Sequence, residues 1–144
     1  MYTGLLHLHS LLRWVIIVLL IINIIKLFGG NKVIALSKWL LIAAHTTLVL
    51  GLYQYFFGHM GFELLKTYGA EAMKIAPIRF WAVEHITGMI LAIALITIGH
   101  VSLKKTGNTK KTAIFYTIAF ILILAVVPWP FRTGIGRPWF PGMH

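Results

Sequence analysis

The chain has 144 residues, of which 59% are hydrophobic and 11% charged, with 13 lysines and arginines against three acidic residues. Soluble domains carry about 25% charged residues, so this composition and a mean hydropathy of +0.87 indicate a single integral membrane domain over residues 1–144. The absence of cysteine excludes disulfides, thiolate metal sites and iron–sulfur clusters. The net charge of +10 does not indicate nucleic-acid binding, because the basic residues lie mostly between apolar runs, where they set membrane topology.

Four apolar runs are long enough to span a bilayer, which takes about 20 mostly apolar residues per helix. Gly58 closes the second run, Pro77 opens the third and Pro128 stops the fourth. Short links make consecutive helices antiparallel neighbours, so the sequence predicts an all-α, antiparallel bundle of four membrane helices. The predicted spans cover about residues 5–28, 38–57, 78–103 and 112–127.

Lysines are concentrated around the first and third links, whereas the longer middle link also carries Glu63 and Glu71. The seven lysines concerned are Lys26, Lys32, Lys38, Lys104, Lys105, Lys110 and Lys111. Lysine and arginine accumulate in cytoplasmic loops. We therefore expect the first link and the third, about eight residues long, to face the cytoplasm. Both termini are then periplasmic, and the protein is a multi-pass protein of the bacterial cytoplasmic membrane.

The middle link and the C-terminal tail have compositions of their own. Residues 58–76 mix apolar and charged side chains, which predicts a short amphipathic segment in the membrane interface. Residues 128–144 contain four prolines and two tryptophans. Proline prevents regular helix and tryptophan suits the headgroup zone, so the tail is predicted to cap the periplasmic end.

Histidines form the main candidate site. His45 and His59 lie fourteen residues apart around the second span, and His85 and His100 lie fifteen apart around the third. Fourteen residues of helix rise about 21 Å, and each pair returns to nearly one face. In antiparallel neighbours His45 is level with His100 and His59 with His85, which predicts two bis-histidine layers of the kind that bind haem.

The partner of His85 stays open at this stage. His59 follows Gly58, where the second helix is predicted to end, whereas His9 lies near the outer end of the first span. The same imidazoles suit a different cofactor, since zinc and copper also bind histidine and zinc accepts carboxylate. The alternative metal ligands are His9, His45, His85 and His100, with Glu84. A histidine in a membrane helix can also serve only as a hydrogen-bond partner between helices.

Arg13 and Glu84 are charged residues inside the predicted spans, where an unpaired charge is costly. Arg13 is four residues after His9, on the same helix face, and Glu84 directly precedes His85. The two could form an ion pair with each other. Alternatively, Arg13 binds a haem propionate or a quinone oxygen while Glu84 accepts a proton from quinol.

The segments LLHLHSLLRW, RFWAVEHITGM and GRPWFPG resemble a small four-span membrane protein family of Bacteroidetes-type bacteria that is labelled cytochrome B, and the likeness covers nearly the whole chain. The layout is also similar to the four-helix, two-haem cytochromes b that oxidise quinol or pass electrons to a periplasmic partner. The resemblance implies haem b, a quinone and the cytoplasmic membrane. It implies His45, His100, His85 and either His9 or His59 as haem ligands.

The sequence therefore predicts a haem b electron-transfer protein linked to quinone, as a component of a quinol oxidoreductase. Two alternatives remain: a copper or zinc binding or transport protein, and a non-catalytic subunit of a larger membrane complex. The expected partners are the lipid bilayer, quinone or a redox protein, and further copies of the chain or other subunits. No nucleic-acid partner is expected.

Overall fold

The computed structural model of the chain describes residues 2–58 and 61–127. This part of the chain is almost entirely helical and contains no strand. His59, His144 and the tail from residue 128 onwards lie outside the described residues, and so does the predicted cap. The helices are α1 (Tyr2–Phe28), α2 (Ile34–Phe57), α3 (Phe62–Tyr68), a 3-10 segment (Gly69–Lys74), α4 (Ala76–Arg79), a π-helical segment (Phe80–Glu84), α5 (His85–Thr106) and α6 (Thr109–Val126).

Four helical stretches are long and apolar enough to cross a membrane: α1, α2, the continuous run Ala76–Thr106, and α6. The four predicted spans are thus confirmed as helices. Each begins two to four residues earlier than predicted, at residues 2, 34, 76 and 109 instead of 5, 38, 78 and 112. Helical hydrogen bonding begins before the predicted runs, in polar residues 109–111 of α6 and in apolar residues 34–36 of α2.

The link between α5 and α6 is shorter than predicted and consists of Gly107 and Asn108 alone. Gly107 adopts the left-handed backbone conformation, with φ +68°, which ends helices efficiently in the absence of a Cβ atom. The Asn108 side chain then accepts a hydrogen bond of 3.0 Å from the Lys111 backbone N–H and caps α6. The four lysines around this link therefore lie on helix ends and not in a loop.

The four long helices pack as a ring. α1 packs along α2 and α6, and α5 packs along the same two helices. α1 and α5 therefore lie opposite each other across the ring. All four contribute buried aliphatic and small side chains to the core, including Leu20, Leu40, Ala44, Ala92, Ile96, Ala119 and Ile123. Large apolar side chains also cover the outer surface, as a lipid-facing surface requires.

The helix pair α5–α6 approaches closely because α5 carries glycines at the contact. A Cβ atom added to Gly99 would lie 2.8 Å from Cε1 of the buried Tyr116 ring, and one added to Gly88 would overlap Val126. Small residues in membrane helix interfaces allow backbones to approach in this way. The position of Tyr116 thus depends on the missing side chain at Gly99.

The middle link is helical, as α3 and the 3-10 segment. α3 packs against the end of α2 and against the π-helical segment, while Phe62, Tyr68 and Met73 remain exposed. The helical form of this link is therefore established, and its amphipathic character and its location in the membrane interface stay predictions.

We expect Gly99→Ala to lower the free energy of unfolding by about 1–3 kcal/mol, because the added methyl group overlaps the Tyr116 ring. Gly4→Ala is the matched control, since a Cβ atom there meets nothing within 4 Å. Unfolding by SDS titration in detergent micelles measures both variants. Equal effects of the two substitutions would contradict the close contact of α5 with α6.

Candidate functional site

His9 on α1 and His85 on α5 face each other across the ring of helices. Their ring centroids are 6.4 Å apart and their planes are inclined by 66°. Because α1 and α5 are opposite helices, this contact is made between the helices and not on the outer surface. Of the two alternative partners of His85, His9 is the one that the described residues bring next to it.

The end of α6 holds His85 in one orientation. His85 Nδ1 lies 2.7 Å from the Val126 carbonyl oxygen. A carbonyl only accepts hydrogen bonds, so Nδ1 carries the hydrogen and Nε2 is the unprotonated nitrogen of the neutral ring. The Val126 carbonyl is available because the last four carbonyls of a helix lack intrahelical partners. Residue 130, whose N–H would be its α-helical partner, is proline and has no N–H. Histidines that bind metals are oriented by the same kind of hydrogen bond.

His9 has an unsatisfied ring nitrogen. Its Nδ1 is buried and has no hydrogen-bond partner among the described residues. Gly51 on α2 makes room for this edge of the ring, because a Cβ atom there would lie 3.3 Å from His9 Cε1. A buried polar atom without a partner costs about 1–3 kcal/mol, so this nitrogen is a suitable point for a ligand to bind.

Aromatic side chains surround His85. The Phe80 and Trp81 ring centroids each lie 5.7 Å from the His85 ring. Both residues belong to the π-helical segment that directly precedes His85. The wider π turn is supported by Tyr55, whose hydroxyl donates a 2.7 Å hydrogen bond to the Ala82 carbonyl. Short π-helical turns occur frequently at functional sites, and no sequence pattern revealed this one.

Arg13 lies beside the two imidazoles. Its guanidinium is 5.3 Å from the centroid of the Trp14 ring, within the range of a cation–π interaction. It is near enough for its charge to act on both His9 and His85. His9, Arg13 and His85 therefore lie together in the described structure.

Glu84 has a different partner from the one that the sequence predicted. Its carboxylate accepts a hydrogen bond from Arg79 Nε at 3.2 Å, and both side chains are partly exposed. Arg79 also donates to the Met73 carbonyl at 3.2 Å. Residues five apart come together here because the π-helical turn between them follows an i to i+5 pattern. An ion pair with Arg13 is one of the two alternatives that the sequence leaves open for Glu84, and the described structure gives it Arg79, a partner within its own helical run.

We expect a weak coupling between Arg79 and Glu84. Exposed ion pairs contribute about 0.2–1 kcal/mol, so a double-mutant cycle of Arg79→Gln and Glu84→Gln should give a coupling energy in that range. SDS unfolding of the two single variants and the double variant provides the measurement. A coupling of several kcal/mol would instead indicate a buried pair.

His45 and His100 have separate partners. Thr97 donates its hydroxyl hydrogen to the Ile93 carbonyl at 2.7 Å, so His45 Nε2, at 2.9 Å from Thr97 Oγ1, is the donor to that hydroxyl. His100 is buried and its Nδ1 lies 2.7 Å from Ser37 Oγ. The structure therefore does not bring these two predicted ligands together. The physical reason is the register of α2 against α5, because Ser37, the residue level with His100, lies eight residues before His45 on α2.

Within residues 2–58 and 61–127, no three His, Asp or Glu side chains converge as a set of metal ligands. No protein-family model, no curated protein and no solved structure matches the chain. The functional argument therefore depends on the geometry of His9, Arg13 and His85.

Proposed function

We propose that the protein is a haem b electron-transfer protein of the bacterial cytoplasmic membrane, linked to quinone, in which His9 and His85 would hold one haem. The observation that supports this most is the 6.4 Å separation of their ring centroids. This separation is short enough for one nitrogen of each ring to reach the same metal ion at metal–nitrogen bonds of about 2.0 Å. Bound haem b would supply a one-electron iron couple.

The donor chemistry of the two residues fits this group. Imidazole is a common axial ligand of haem iron. The hydrogen bond to Val126 leaves His85 Nε2 unprotonated, and His9 has a buried Nδ1 without a partner among the described residues. Each ring therefore has a nitrogen available for iron, and the two rings face each other. His45 and His100 also keep one ring nitrogen each, but they bond to Thr97 and Ser37 and do not face each other. For this reason His45 and His100 are not among the ligands proposed, and a single haem is proposed instead of two.

Two charged residues complete the proposed site. Arg13 carries a fixed positive charge beside both imidazoles, and a guanidinium suits a haem propionate or a quinone oxygen. Glu84 directly precedes His85 and is partly exposed. An exposed carboxylate can release a proton to water, so Glu84 is the proposed acceptor of the proton that quinol loses on oxidation.

We also propose an antiparallel bundle with both termini in the periplasm. Contacts join the start of α1 to the end of α2 at His9 and Gly51, and the start of α5 to the end of α6 at His85 and Val126. These end-to-start contacts support antiparallel neighbours. The lysines around the α1–α2 and α5–α6 links favour the cytoplasm, so His9 and His85 would lie in the periplasmic half.

The haem proposal predicts that protein purified from haem-replete cells is red and shows the sharp α-band of haem b after reduction with dithionite. His85→Ala and His9→Ala should each lose this band, because each removes one axial ligand. His45→Ala is the matched control, a histidine of the same bundle that bonds to Thr97, and it should retain the band. Visible spectra and haem content per chain measure the result.

The proposal fails if the purified protein is colourless and added haemin does not change its spectrum. Copper or zinc found by elemental analysis in such a preparation would favour the metal-binding alternative. Full haem content in His9→Ala, with loss in His85→Ala, would return His59 as the partner of His85.

The topology predicts that a reporter fused after His144 behaves as periplasmic. Alkaline phosphatase, which is active only outside the cytoplasm, should be active in this fusion, and a fusion within the two-residue α5–α6 link should be inactive. The reverse pattern would move His9 and His85 to the cytoplasmic half.

A further inference from the structure

Each of the four long helices contributes one buried polar side chain to a second site, called here the polar layer: Asn23 of α1, Ser37 of α2, His100 of α5 and Tyr116 of α6. His100 follows His85 by fifteen residues of α5, or about 22 Å of helix. The polar layer is thus separate from the proposed haem site and lies toward the lysine-rich end of the bundle. Four polar residues buried among apolar helices require an explanation of their own.

Ser37 connects the polar layer. Its hydroxyl is 2.7 Å from His100 Nδ1 and also forms a hydrogen bond with the Tyr116 hydroxyl. Each hydroxyl has one hydrogen to donate and can also accept. The line of hydrogen bonds that joins His100, Ser37 and Tyr116 can therefore run in two directions. Either Tyr116 donates to Ser37 and Ser37 to His100, or His100 donates to Ser37 and Ser37 to Tyr116. The protonation of His100 Nδ1 decides between them.

Asn23 provides the acceptor that the second direction needs. Its Nδ2 donates to the Leu19 carbonyl at 2.7 Å and approaches the carbonyl of Leu36, the neighbour of Ser37, at 3.4 Å. Its Oδ1 is buried and has no hydrogen-bond partner among the described residues. When Ser37 donates to Tyr116, the Tyr116 hydrogen has to find another acceptor. We infer that this acceptor is Asn23 Oδ1, which is buried beside the Leu36–Ser37 backbone and has no other partner among the described residues.

The surrounding packing fixes the Tyr116 hydroxyl at this point. Gly99 leaves room for the Tyr116 ring, because a Cβ atom there would lie 2.8 Å from it. The Thr112 hydroxyl donates to the Gly99 carbonyl at 2.9 Å and ties the two helices together beside the ring. The hydrogen-bonded line is therefore held by backbone packing and not only by its own bonds.

We propose that the polar layer is a buried proton-binding site, in which His100 binds a proton from water at the lysine-rich end. His100 is 5% exposed, whereas Asn23, Ser37 and Tyr116 are fully buried, so the proton enters at His100. It adds to Nε2 of the ring that carries its hydrogen on Nδ1; one N–H bond forms and water gives up the proton. With a hydrogen on both ring nitrogens, Nδ1 can only donate. Ser37 then donates to Tyr116 and Tyr116 donates to Asn23, which is the second of the two directions.

The groups that face His100 are few. Lys104, one turn further along α5, places a positive charge near His100 and so opposes a second proton on the ring. α6 contributes the titratable Tyr116, while α2 and α1 contribute the uncharged Ser37 and Asn23. Retention of the proton therefore depends on the acceptors of the polar layer, and their removal should weaken proton binding measurably.

Nitrogen-15 NMR of labelled histidine, with the protein in lipid nanodiscs between pH 5 and 8, tests this proposal. His100–Val101 is the only His–Val pair in the sequence, so paired labelling of histidine and valine identifies the ring without any substitution. His100 should convert from a neutral to a doubly protonated ring within this range. In Tyr116→Phe the buried Ser37 hydrogen loses its acceptor in the protonated state, so the midpoint should fall by about 1 pH unit, a tenfold weaker binding of the proton.

Thr117→Val is the matched control, because it removes a hydroxyl of α6 that bonds only to its own helix, at the Ala113 carbonyl. It should leave the midpoint unchanged, and Asn23→Leu should lower it. Ser37→Ala should make His100 insensitive to Tyr116→Phe, since Tyr116 acts through Ser37. The proposal is overturned if His100 stays neutral throughout, if Tyr116→Phe behaves like Thr117→Val, if Asn23→Leu changes nothing, or if Ser37→Ala and Tyr116→Phe have additive effects.

Discussion

Every backbone N–H and carbonyl of a chain surrounded by lipid has to find its hydrogen-bond partner within the protein. Long helices meet this requirement along most of the chain, and the exceptions mark the sites. The π-helical turn before His85 is accompanied by the Tyr55 hydroxyl on the Ala82 carbonyl. The free carbonyl of Val126 at the end of α6 is bonded to His85 Nδ1. The same contacts therefore give backbone carbonyls their hydrogen-bond partners and orient functional side chains.

The two polar sites differ in how completely their polar atoms are hydrogen-bonded within the protein. At the first, His9 Nδ1 has no partner among the described residues, and the two rings meet at an edge without a hydrogen bond between them. At the second, the His100, Ser37 and Tyr116 side chains bond to one another. Burial of polar groups is tolerated when they are bonded. The first arrangement therefore suits a ligand supplied from outside, and the second suits a change in hydrogen position within the protein.

The helices could be predicted from the sequence, because an apolar run of about 20 residues has few other stable states in a membrane. The proximity of His9, Arg13 and His85 could be predicted in part, since all three lie near one end of their spans. The hydrogen bond between His45 and Thr97 could not be predicted from the sequence. Residue spacing gives the face that a side chain occupies on its own helix, whereas its partner depends on the rotation of two helices and on their order in the ring. The ion pair between Arg79 and Glu84 depends on a local π turn for which composition gives no signal.

The two-residue link between α5 and α6 has a consequence for how the protein is made. The two helices are adjacent in sequence and pack along each other, so their contacts are local and form early in folding. The His85–Val126 bond lies within this hairpin and needs no other helix. His9, by contrast, lies on α1, 76 residues before His85 in the sequence, so its contact with His85 is long-range. Long-range contacts cost more loop-closure entropy than local ones, so one half of the histidine pair is oriented within a pair of neighbouring helices before the other half docks against it.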